Sequence, residues 1–439
     1  MISSLYRLFE KYPSISTDTR KISPNSLFFC LKGENFDGNR FAKQAIESGA
    51  THVISDDPAN AQLSHVTIVD DVLKTLQQLA LFHRQQLSIP VIGITGTNGK
   101  TTTKELITAI LSKKYRTACT KGNLNNHIGV PLTLLSICPD DEIAVVEMGA
   151  NHPGEICELC NLALPTASVI TNIGKAHLEG FGSLENIFQT KTDLYRFVMK
   201  NEGTLFVNLD NPLFAPFSDY TNIAGYSQKR GQSVNGQVIR QNPFLELTLT
   251  IPNSQLLTLN SQLLTTQLTG CYNLYNILCA AAVGNYFGVS LNDIKDALEN
   301  YKPDNNRSQI IQKGGVTLIA DYYNANPTSM EAALRNLASL EAPKKFAVLG
   351  DMLELGDISQ EEHTHIMKLS VDLDIPSFFI GNEFATCSVG GMDVFENVEE
   401  FNNQIDTSQF VNSTILVKGS RGIKLEQLRM VKQMSDEKK

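Results

Sequence analysis

A glycine-rich loop between an apolar run and a helical run is the strongest constraint on how this chain folds. The stretch VIGITGTNGKTTTKE, Val91 to Glu105, is a short β-branched run, then glycines, then Lys100 and Thr101. In a strand–loop–helix unit of this kind, loop N–H groups and the helix N-terminus hold phosphate oxygens. Lys100 would reach the outer phosphates of a nucleotide, and Thr101 would bind magnesium. The stretch therefore predicts a nucleotide-binding α/β domain.

The spacing of this loop departs from the strict G-x-x-x-x-G-K-[ST] pattern, because Ile94 stands five residues before Gly99. Gly93 and Gly96 lie on either side of that position instead. A chance glycine turn is the alternative, and the strand–loop–helix context argues against it. The predicted nucleotide-binding residues of the loop are Gly96, Thr97, Asn98, Gly99, Lys100, Thr101 and Thr102.

Length and composition limit the class of protein. A chain of 439 residues suggests about three domains. With 42% hydrophobic and 19% charged residues it is typical of a soluble globular protein, and a net charge of -9 argues against a general nucleic-acid or membrane-surface binder. Eight scattered cysteines, no apolar leader in MISSLYRLFEKYPS and no apolar run of membrane-spanning length favour a reducing cytoplasm with free thiols.

Short apolar runs alternate with helical runs along most of the chain. PVIGIT, EIAVVEMG, ASVITNIG and GTLFVNLD suit buried parallel strands, and the more polar stretch 226–268 predicts additional antiparallel strands. GVTLIADYYNANP, KKFAVLGDMLELG, PSFFIGNE and STILVKGSRG repeat the alternation. The predicted fold is α/β with three domains. These are a small α/β N-terminal domain at 1–88, a central P-loop-type parallel-sheet ATPase domain at 89–306, and a C-terminal Rossmann-like domain at 307–439.

Two short motifs have some features of metal sites but lack a second half. Cys157 and Cys160 in GEICELCNL have metal-knuckle spacing, yet no second such pair follows. We expect both to be thiols in the core of a helix. His363 and His365 in EEHTHIMK are flanked by polar residues, and we expect them at the surface.

Two polar side chains follow predicted strands of the central domain. Glu147 ends the run AVVEMG, beside the expected phosphate-loop strand, where an acid commonly orients a metal ion or its water. The alternative role is a carboxylate that caps a turn. His177, in a glycine-flanked loop, is either a metal ligand or an ordinary loop histidine.

Lys191 falls on the apolar face of a predicted helix. That face carries Leu184, Ile187, Phe188, Leu194, Tyr195 and Val198, and helical spacing places Lys191 among them. An ammonium group buried there is costly unless it is paired or neutralised. Either the lysine stem extends past the core to solvent, or the side chain is a neutral amine that can react or be modified.

Longer motifs resemble those of the Mur ligase family: GTNGKTT, VVEMGANHPGEI and TNIGKAHLEGFGS, with Lys191 downstream. The N-terminal STDTRK and LFFCLKGENFDGNRF are similar to the nucleotide-sugar domain found in this family. DYYNANPTSM, VLGDMLELG and VKGSRG look like the branch that adds a dipeptide. The resemblance covers all three predicted domains.

The resemblance implies ATP-dependent amide-bond formation in cytoplasmic peptidoglycan precursor synthesis, by a monomer. ATP would convert the terminal carboxylate of UDP-N-acetylmuramoyl-tripeptide into an acyl phosphate, which the amine of D-alanyl-D-alanine would attack. Lys100 would stabilise the transferring phosphoryl group, and Thr101 and Glu147 would hold one Mg²⁺. His177 would help to bind a second Mg²⁺, which a CO2-derived carbamate on Lys191 would support. Carbamylation needs the neutral amine that an apolar surrounding favours.

The resemblance also suggests binding residues in loops whose asparagines are otherwise ordinary turn residues. Those around adenine and ribose would be Asn273, Asn276, Arg307 and Asp321, with Tyr272 where the family often has histidine. Those facing the uridine nucleotide would be Thr19, Arg20 and Asn35. Those along the muramoyl-peptide path would be Asn123, Asn125, Asn126 and His127. Candidates near the dipeptide or at the closing face are Asn324, Asn326, Ser420 and Arg421.

Alternative functions explain parts of the pattern. Within the family, the nearest are the ligase that adds the third amino acid and folylpolyglutamate synthase. YNANPTSM and LGDMLELG favour the dipeptide-adding branch, and the DNPR motif expected of the third-residue ligase is absent. A nucleotide switch or ATPase module would explain the glycine-rich loop, but neither Lys191 nor a nucleotide-sugar domain. A non-catalytic relative would not need the catalytic positions that are retained.

Overall fold

The chain forms three main sheets and one two-stranded ribbon in the computed structural model, which describes residues 1–229, 231, 233–253, 258–387 and 389–435. Each main sheet lies in one of the three predicted parts of the chain and is predominantly parallel. The predicted α/β class is confirmed. The proposed boundaries at 88/89 and 306/307 fall in segments without helix or strand, and they stay predictions.

The N-terminal part is a four-stranded parallel sheet with order β1-β2-β5-β6, accompanied by an antiparallel ribbon of β3 and β4. Its elements are α1 (Ile2–Lys11), β1 (Ser14–Ser16), β2 (Ser26–Phe29), β3 (Lys32–Gly33), β4 (Phe36–Asp37), α2 (Ala42–Glu47), β5 (Ala50–Ser55), β6 (Val66–Ile68) and α3 (Val72–Gln86).

The central part is a nine-stranded sheet with order β15-β14-β13-β12-β11-β10-β7-β9-β8. Its elements are β7 (Val91–Thr95), α4 (Lys100–Leu111), β8 (Thr117–Cys119), α5 (Gly129–Leu135), β9 (Ile143–Glu147), α6 (Glu155–Ala163), β10 (Ala167–Ile170), α7 (Leu178–Phe181), α8 (Leu184–Lys200), β11 (Thr204–Asn208), β12 (Ile223–Ser227), β13 (Val234–Gln241), β14 (Leu245–Asn253), β15 (Thr258–Thr265), α9 (Asn273–Tyr286) and α10 (Leu291–Asn300).

The C-terminal part is a six-stranded sheet with order β16-β17-β21-β18-β19-β20. Its elements are β16 (Gln309–Lys313), β17 (Val316–Asp321), α11 (Pro327–Ser339), β18 (Lys345–Gly350), α12 (Ser359–Asp372), β19 (Ser377–Ile380), α13 (Asn382–Ala385), β20 (Asp393–Phe395), α14 (Val398–Gln404), β21 (Thr414–Lys418) and α15 (Arg429–Ser435). Among the strands described in this part, only β16 runs antiparallel to its neighbour.

The eight apolar runs singled out in the central and C-terminal parts all form strands. They correspond to β7, β9, β10 and β11, and to β17, β18, β19 and β21. The antiparallel expectation for 226–268 is confirmed for β14 and β15, whereas β13 pairs parallel with β12 and antiparallel with β14. The short strands β8, β16 and β20 were not anticipated, because their runs are too short or too polar to stand out.

Helix α3 joins the N-terminal and central parts through a common core. Apolar side chains of the N-terminal sheet, of α3 and of α5 belong to one continuous cluster, which includes the fully buried Leu27, Leu76 and Leu134. The two parts therefore share buried surface. No helix in the described ranges is long and apolar enough to cross a membrane.

Three expectations about burial were wrong. Cys157 is exposed on α6 and only Cys160 is buried, because the buried stripe of that helix is formed by Ile156, Leu159, Cys160 and Ala163 and Cys157 lies at its edge. His363 is fully buried, and two hydrogen bonds compensate its burial: Nε2 accepts the Met352 N–H at 3.0 Å, and Nδ1 pairs with the Ser359 carbonyl at 2.7 Å. His365 is exposed as expected. Leu184, at the start of α8, is 46% exposed and does not belong to the buried stripe.

We predict that Leu76→Ala destabilises the N-terminal and central parts together. Leu76 has no exposed surface, and truncating a leucine in a close-packed core costs about 2–5 kcal/mol. Urea unfolding followed by circular dichroism would show the main transition at lower denaturant. Gln78→Ala, on the exposed face of the same helix, is the matched control. Equal midpoints for the two variants would contradict the common core.

Candidate active site

A cavity of about 940 Å³ lies at the carboxyl ends of strands from the central and C-terminal sheets. The loops after β7, β9, β10, β11 and β17 contribute to its wall, together with Lys418 at the end of β21, as expected for the ligand site of open α/β sheets. The predicted site residues that line it are Thr97, Asn98, Gly99, Lys100, Thr102, Asn123, Asn125, Asn126, His127, Glu147, His177, Asn273, Asn276, Arg307, Asp321, Asn324 and Asn326.

The glycine-rich loop has the backbone of a phosphate cradle. Gly96 and Gly99 have φ angles of +147° and +78°, which side-chain-bearing residues rarely adopt. A Cβ on Gly96 would lie 1.9 Å from Thr171 Oγ1, and one on Gly99 would lie 2.6 Å from Asn276 Oδ1. Gly99 immediately precedes α4, whose free N–H groups face the cavity side of the loop. At both positions, therefore, the backbone conformation and the lack of space for a Cβ require glycine.

Lys100 lies over the loop that precedes it. Its Nζ donates to the carbonyls of Gly96, at 2.7 Å, and of Thr97, at 3.2 Å. Burial lowers the pKa of Lys100, and the positive charge of Arg307 lowers it further, whereas the carboxylate of Glu147 opposes both effects. A bound polyphosphate would favour the charged ammonium at this position.

A hydroxyl and a carboxylate meet at the end of β9, where magnesium was expected. Thr101 Oγ1 donates to Glu147 Oε2 at 2.9 Å, and Asn125 Nδ2 donates to Glu147 Oε1 at 2.8 Å. Glu147 is 1% exposed. Oxygen donors of this kind suit Mg²⁺, which takes one or two protein ligands and completes its shell with phosphates and water. Thr101 and Glu147 therefore fit the ion, although Thr101 lies behind the cavity wall. The described residues contain no cluster of three or more His, Cys, Asp or Glu side chains suited to a metal.

Lys104 is a buried residue of this site that the sequence did not reveal. Its Nζ donates to the Thr120 carbonyl at 2.8 Å and lies 3.9 Å from Glu147 Oε2. Glu147 in turn donates its N–H to Thr120 Oγ1 at 2.9 Å. The available signal was its spacing of four from Lys100, which places both lysines on one face of the helix.

His177 lies on the cavity wall, where it meets the C-terminal domain. It is the N-cap residue of α7, with a left-handed φ of 52°. Its buried Nδ1 contacts Oε2 of Glu354 and has no other polar partner among the described residues. The neighbouring His177 side chain lowers the pKa of Glu354, against the opposing effect of burial. Glu354 had no role in the sequence interpretation.

Lys191 lies behind the cavity wall on α8. It is 2% exposed, so the stem does not reach solvent, and that alternative was wrong. Its Nζ is 5.7 Å from the centroid of the Phe181 ring. Within the described residues the ammonium has no hydrogen bond or ion pair. Burial, and then the charge of Lys100, holds the pKa of Lys191 well below its ordinary value, which favours the neutral amine.

The predicted adenosine residues form a connected polar wall. Asn276 Nδ2 donates to Asn273 Oδ1 at 2.8 Å, and Arg307 stacks on the Tyr323 ring, 3.9 Å from its centroid. Asp321 accepts from Lys418 Nζ at 2.8 Å. Further lining residues to which the sequence assigned no role are Gly149, Ala150, Asn151, Glu155, Glu158, Leu159, Thr171, Asn172, Asn208, Asp210, Asn211, Pro212, Tyr275, Ser308, Tyr323, Thr328, Ser329, Ala332 and Lys418. Many follow strand ends, which was the available signal.

Two candidates at the closing face lie off the cavity wall. Asn326 caps α11, and its Nδ2 donates to Asn98 Oδ1 at 2.8 Å across the domain boundary. Ser420 is buried and accepts the Leu353 N–H at 3.0 Å. Arg421 is exposed, with its guanidinium 5.7 Å from the Tyr323 ring centroid. The structure does not bring Ser420 or Arg421 to the cavity.

The three nucleotide-sugar candidates lie in the N-terminal domain and do not line the cavity. Arg20 is exposed and paired with Asp18, which lowers the pKa of that carboxyl to about 2. Asn35 is exposed between β3 and β4, and Thr19 is half-buried. Their role in binding the uridine nucleotide stays a prediction.

Comparison with known proteins matches all three parts of the chain. Three family models cover it in order: the Mur ligase family catalytic domain at residues 11–92, the Mur ligase middle domain at 94–284 and the Mur ligase glutamate ligase domain at 306–421. The chain belongs to the Mur ligase family. It is an ATP-dependent ligase, which agrees with the phosphate loop that opens onto the cavity.

Relatives with known names align along nearly the full chain. The UDP-N-acetylmuramoyl-tripeptide–D-alanyl-D-alanine ligase of Bacillus subtilis is 39% identical over 94% of this chain and 92% of its own length. The Escherichia coli protein of the same name is 35% identical with the same coverage. MurF from Acinetobacter baumannii has a TM-score of 0.86 at 32% identity, covering 99% of this chain and 98% of its own. MurF ligase from Thermotoga maritima in complex with ADP has a TM-score of 0.81 at 25% identity, covering 95% and 96%.

We predict that Lys191→Met raises the stability of the ligand-free protein at neutral pH. Burying Lys191 requires the amine either to lose its proton or to stay charged without a partner, and an apolar side chain of similar volume avoids that cost in free energy. In the folded protein the pKa of Lys191 lies below its ordinary value of 10.5. At a pH between the folded and the unfolded pKa, the unfolded chain holds more protons than the folded protein, so the stability of the wild type rises with pH. The advantage of the variant should therefore shrink from pH 7 to pH 9. Thermal unfolding in bicarbonate-free buffer measures it. A less stable variant would contradict the unfavourable burial.

Proposed function

We propose that this ligase joins D-alanyl-D-alanine to UDP-N-acetylmuramoyl-tripeptide, with conversion of ATP to ADP and phosphate. The observation that carries the proposal is the shared cavity: a phosphate loop, an asparagine-lined wall and the strand ends of the C-terminal domain open onto one space. A simple nucleotide switch needs only the first of these. The names of the relatives supply the substrates. We place the reaction in the cytoplasm, as a step of peptidoglycan precursor synthesis by a monomer.

The first step transfers the γ-phosphoryl group of ATP to the tripeptide carboxylate. The carboxylate oxygen forms a bond to phosphorus, the bond to the β-phosphate oxygen breaks, and ADP leaves. The loop N–H groups and Lys100 hold and neutralise the phosphates in this step. Asn123, Asn125, Asn126 and His127 lie along the wall on which the acceptor carboxylate would rest.

The second step forms the amide. The free amine of D-alanyl-D-alanine attacks the acyl carbon, and inorganic phosphate leaves with the bonding electron pair while the amine loses a proton. An acyl phosphate hydrolyses in water, so a position between two domains that excludes water would protect it. Asn324 and Asn326 line the cavity on the C-terminal side and are proposed to contact the dipeptide. Thr19, Arg20 and Asn35 are proposed to hold the uridine nucleotide.

Magnesium is proposed at two positions. Thr101 and Glu147 would hold one ion beside the ATP phosphates, and His177 with a carbamate on Lys191 would hold the other. Bound magnesium supplies positive charge that offsets the negative charge of the phosphates. A carbamate converts the amine of Lys191 into a carboxylate, and the depressed pKa of Lys191 supports the neutral form that reacts with CO2.

Phosphate release tests the assignment. We expect the purified protein to release phosphate from ATP only with both UDP-N-acetylmuramoyl-tripeptide and D-alanyl-D-alanine present. Tripeptides ending in lysine and in diaminopimelate are assayed side by side, and L-alanyl-L-alanine serves as the matched control. Release that is indifferent to the dipeptide would reject the ligase assignment in favour of an ATPase module.

Lys191→Ala tests the carbamate. We expect activity to fall by about 100-fold or more, because a charged group at the reacting phosphates is lost. Bicarbonate with a short carboxylate such as acetate should partly restore it, since the carboxylate can enter the space left by the lysine stem. Chloride at the same ionic strength is the control. A fully active Lys191→Ala enzyme would refute the role.

A further inference from the structure

The C-terminal domain places one carboxylate directly on a predicted catalytic side chain of the central domain. Glu354, in the loop after β18, contacts His177 Nδ1 through Oε2. The same residue accepts the Glu179 N–H through its carbonyl at 3.3 Å. Two contacts, one from the side chain and one from the backbone, thus join Glu354 to the segment that carries His177.

The loop that carries Glu354 is anchored on its own domain. The Met352 N–H pairs with Nε2 of the buried His363 at 3.0 Å, and the Leu353 N–H donates to Oγ of the buried Ser420 at 3.0 Å. The Glu354 backbone has a left-handed φ of 67°. These contacts determine the position of the carboxylate from within the C-terminal domain.

The contact selects one ring nitrogen of His177. A carboxylate at Nδ1 favours the tautomer with its proton on Nδ1, because a hydrogen bond to one nitrogen determines the state of the other. His177 lines the cavity, so Nε2 is the nitrogen left to act there as an acceptor or ligand. Carboxylates that orient a histidine in this way typically change activity or metal affinity by about 10–100-fold when removed.

We propose that Glu354 is a positioning residue that orients His177 and sets its tautomer from the C-terminal domain. The proposal rests on the ligase function proposed above, because only a reaction in this cavity gives the orientation of His177 a purpose. Ser420, which did not reach the cavity, then acts through the loop it supports.

A neighbouring ion pair provides the matched control. Lys175 Nζ lies 2.7 Å from Glu362 Oε1, between the same two domains, and Glu362 does not contact His177. Glu362→Gln weakens the attachment of the domains without touching the imidazole. Glu354→Gln removes the charge beside His177 in a side chain of almost equal shape.

The tautomer is measured by long-range ¹H–¹⁵N spectra of protein labelled on its eight histidines, with His177→Gln to assign the signal. We expect His177 to be the Nδ1–H tautomer in the wild type and in Glu362→Gln, and a mixture in Glu354→Gln. This readout does not depend on activity. An unchanged His177 signal in Glu354→Gln would overturn the proposal.

Enzyme kinetics provide the second test of the role proposed for Glu354. We expect Glu354→Gln to lower kcat by about 10–100-fold with little change in the KM for the dipeptide, and Glu354→Asp to recover part of the loss. Glu362→Gln should retain the wild-type kcat. In the His177→Gln background, Glu354→Gln should have no further effect. A wild-type kcat in Glu354→Gln, or equal losses in both Glu variants, rejects the positioning role. A wild type without dipeptide-dependent turnover rejects the proposed function instead.

Discussion

The buried carboxylate of Glu147 is the group on which the arrangement of the nucleotide side depends. A carboxylate removed from water costs several kcal/mol unless hydrogen bonds and charge compensate it. Its two oxygens accept from Thr101 on the phosphate-loop helix and from Asn125 on the asparagine-rich loop. Asn125 in turn accepts the Gly149 N–H at 2.7 Å through its carbonyl. The carboxylate therefore determines the relative position of the two walls between which the phosphates would lie.

Much of this region could be predicted from sequence because it depends on local pattern. The glycines, the strand ends and the helix start follow from residues close together in the chain. In the register between β7 and β9, Ile94 lies beside Glu147, so the expected approach of this acid to the phosphate loop is confirmed. The three-domain α/β class follows in the same way from the alternation of short apolar runs.

The contacts that sequence did not reveal depend on tertiary structure. His363 stands among polar residues that favour a surface position. Its ring is nevertheless buried, where it accepts the backbone N–H of Met352 from the loop after β18. Glu354 and His177 lie in different domains, and every element from α7 to β18 separates them in the chain. Which carboxylate meets which histidine depends on how two domains pack, and no periodicity of a single helix or strand carries that information.

Three buried lysines of the described residues show why Lys191 differs from a structural lysine. Lys418 donates to Asp321 and to the Asn324 carbonyl, and Lys104 donates to the Thr120 carbonyl near Glu147. Each has found the partners that a buried ammonium requires. Lys191 is equally buried, yet no hydrogen bond or ion pair compensates its charge within the described residues, and its pKa is held low. Its surroundings thus favour the neutral amine over the ammonium, whereas the surroundings of Lys104 and Lys418 provide partners for a charged group.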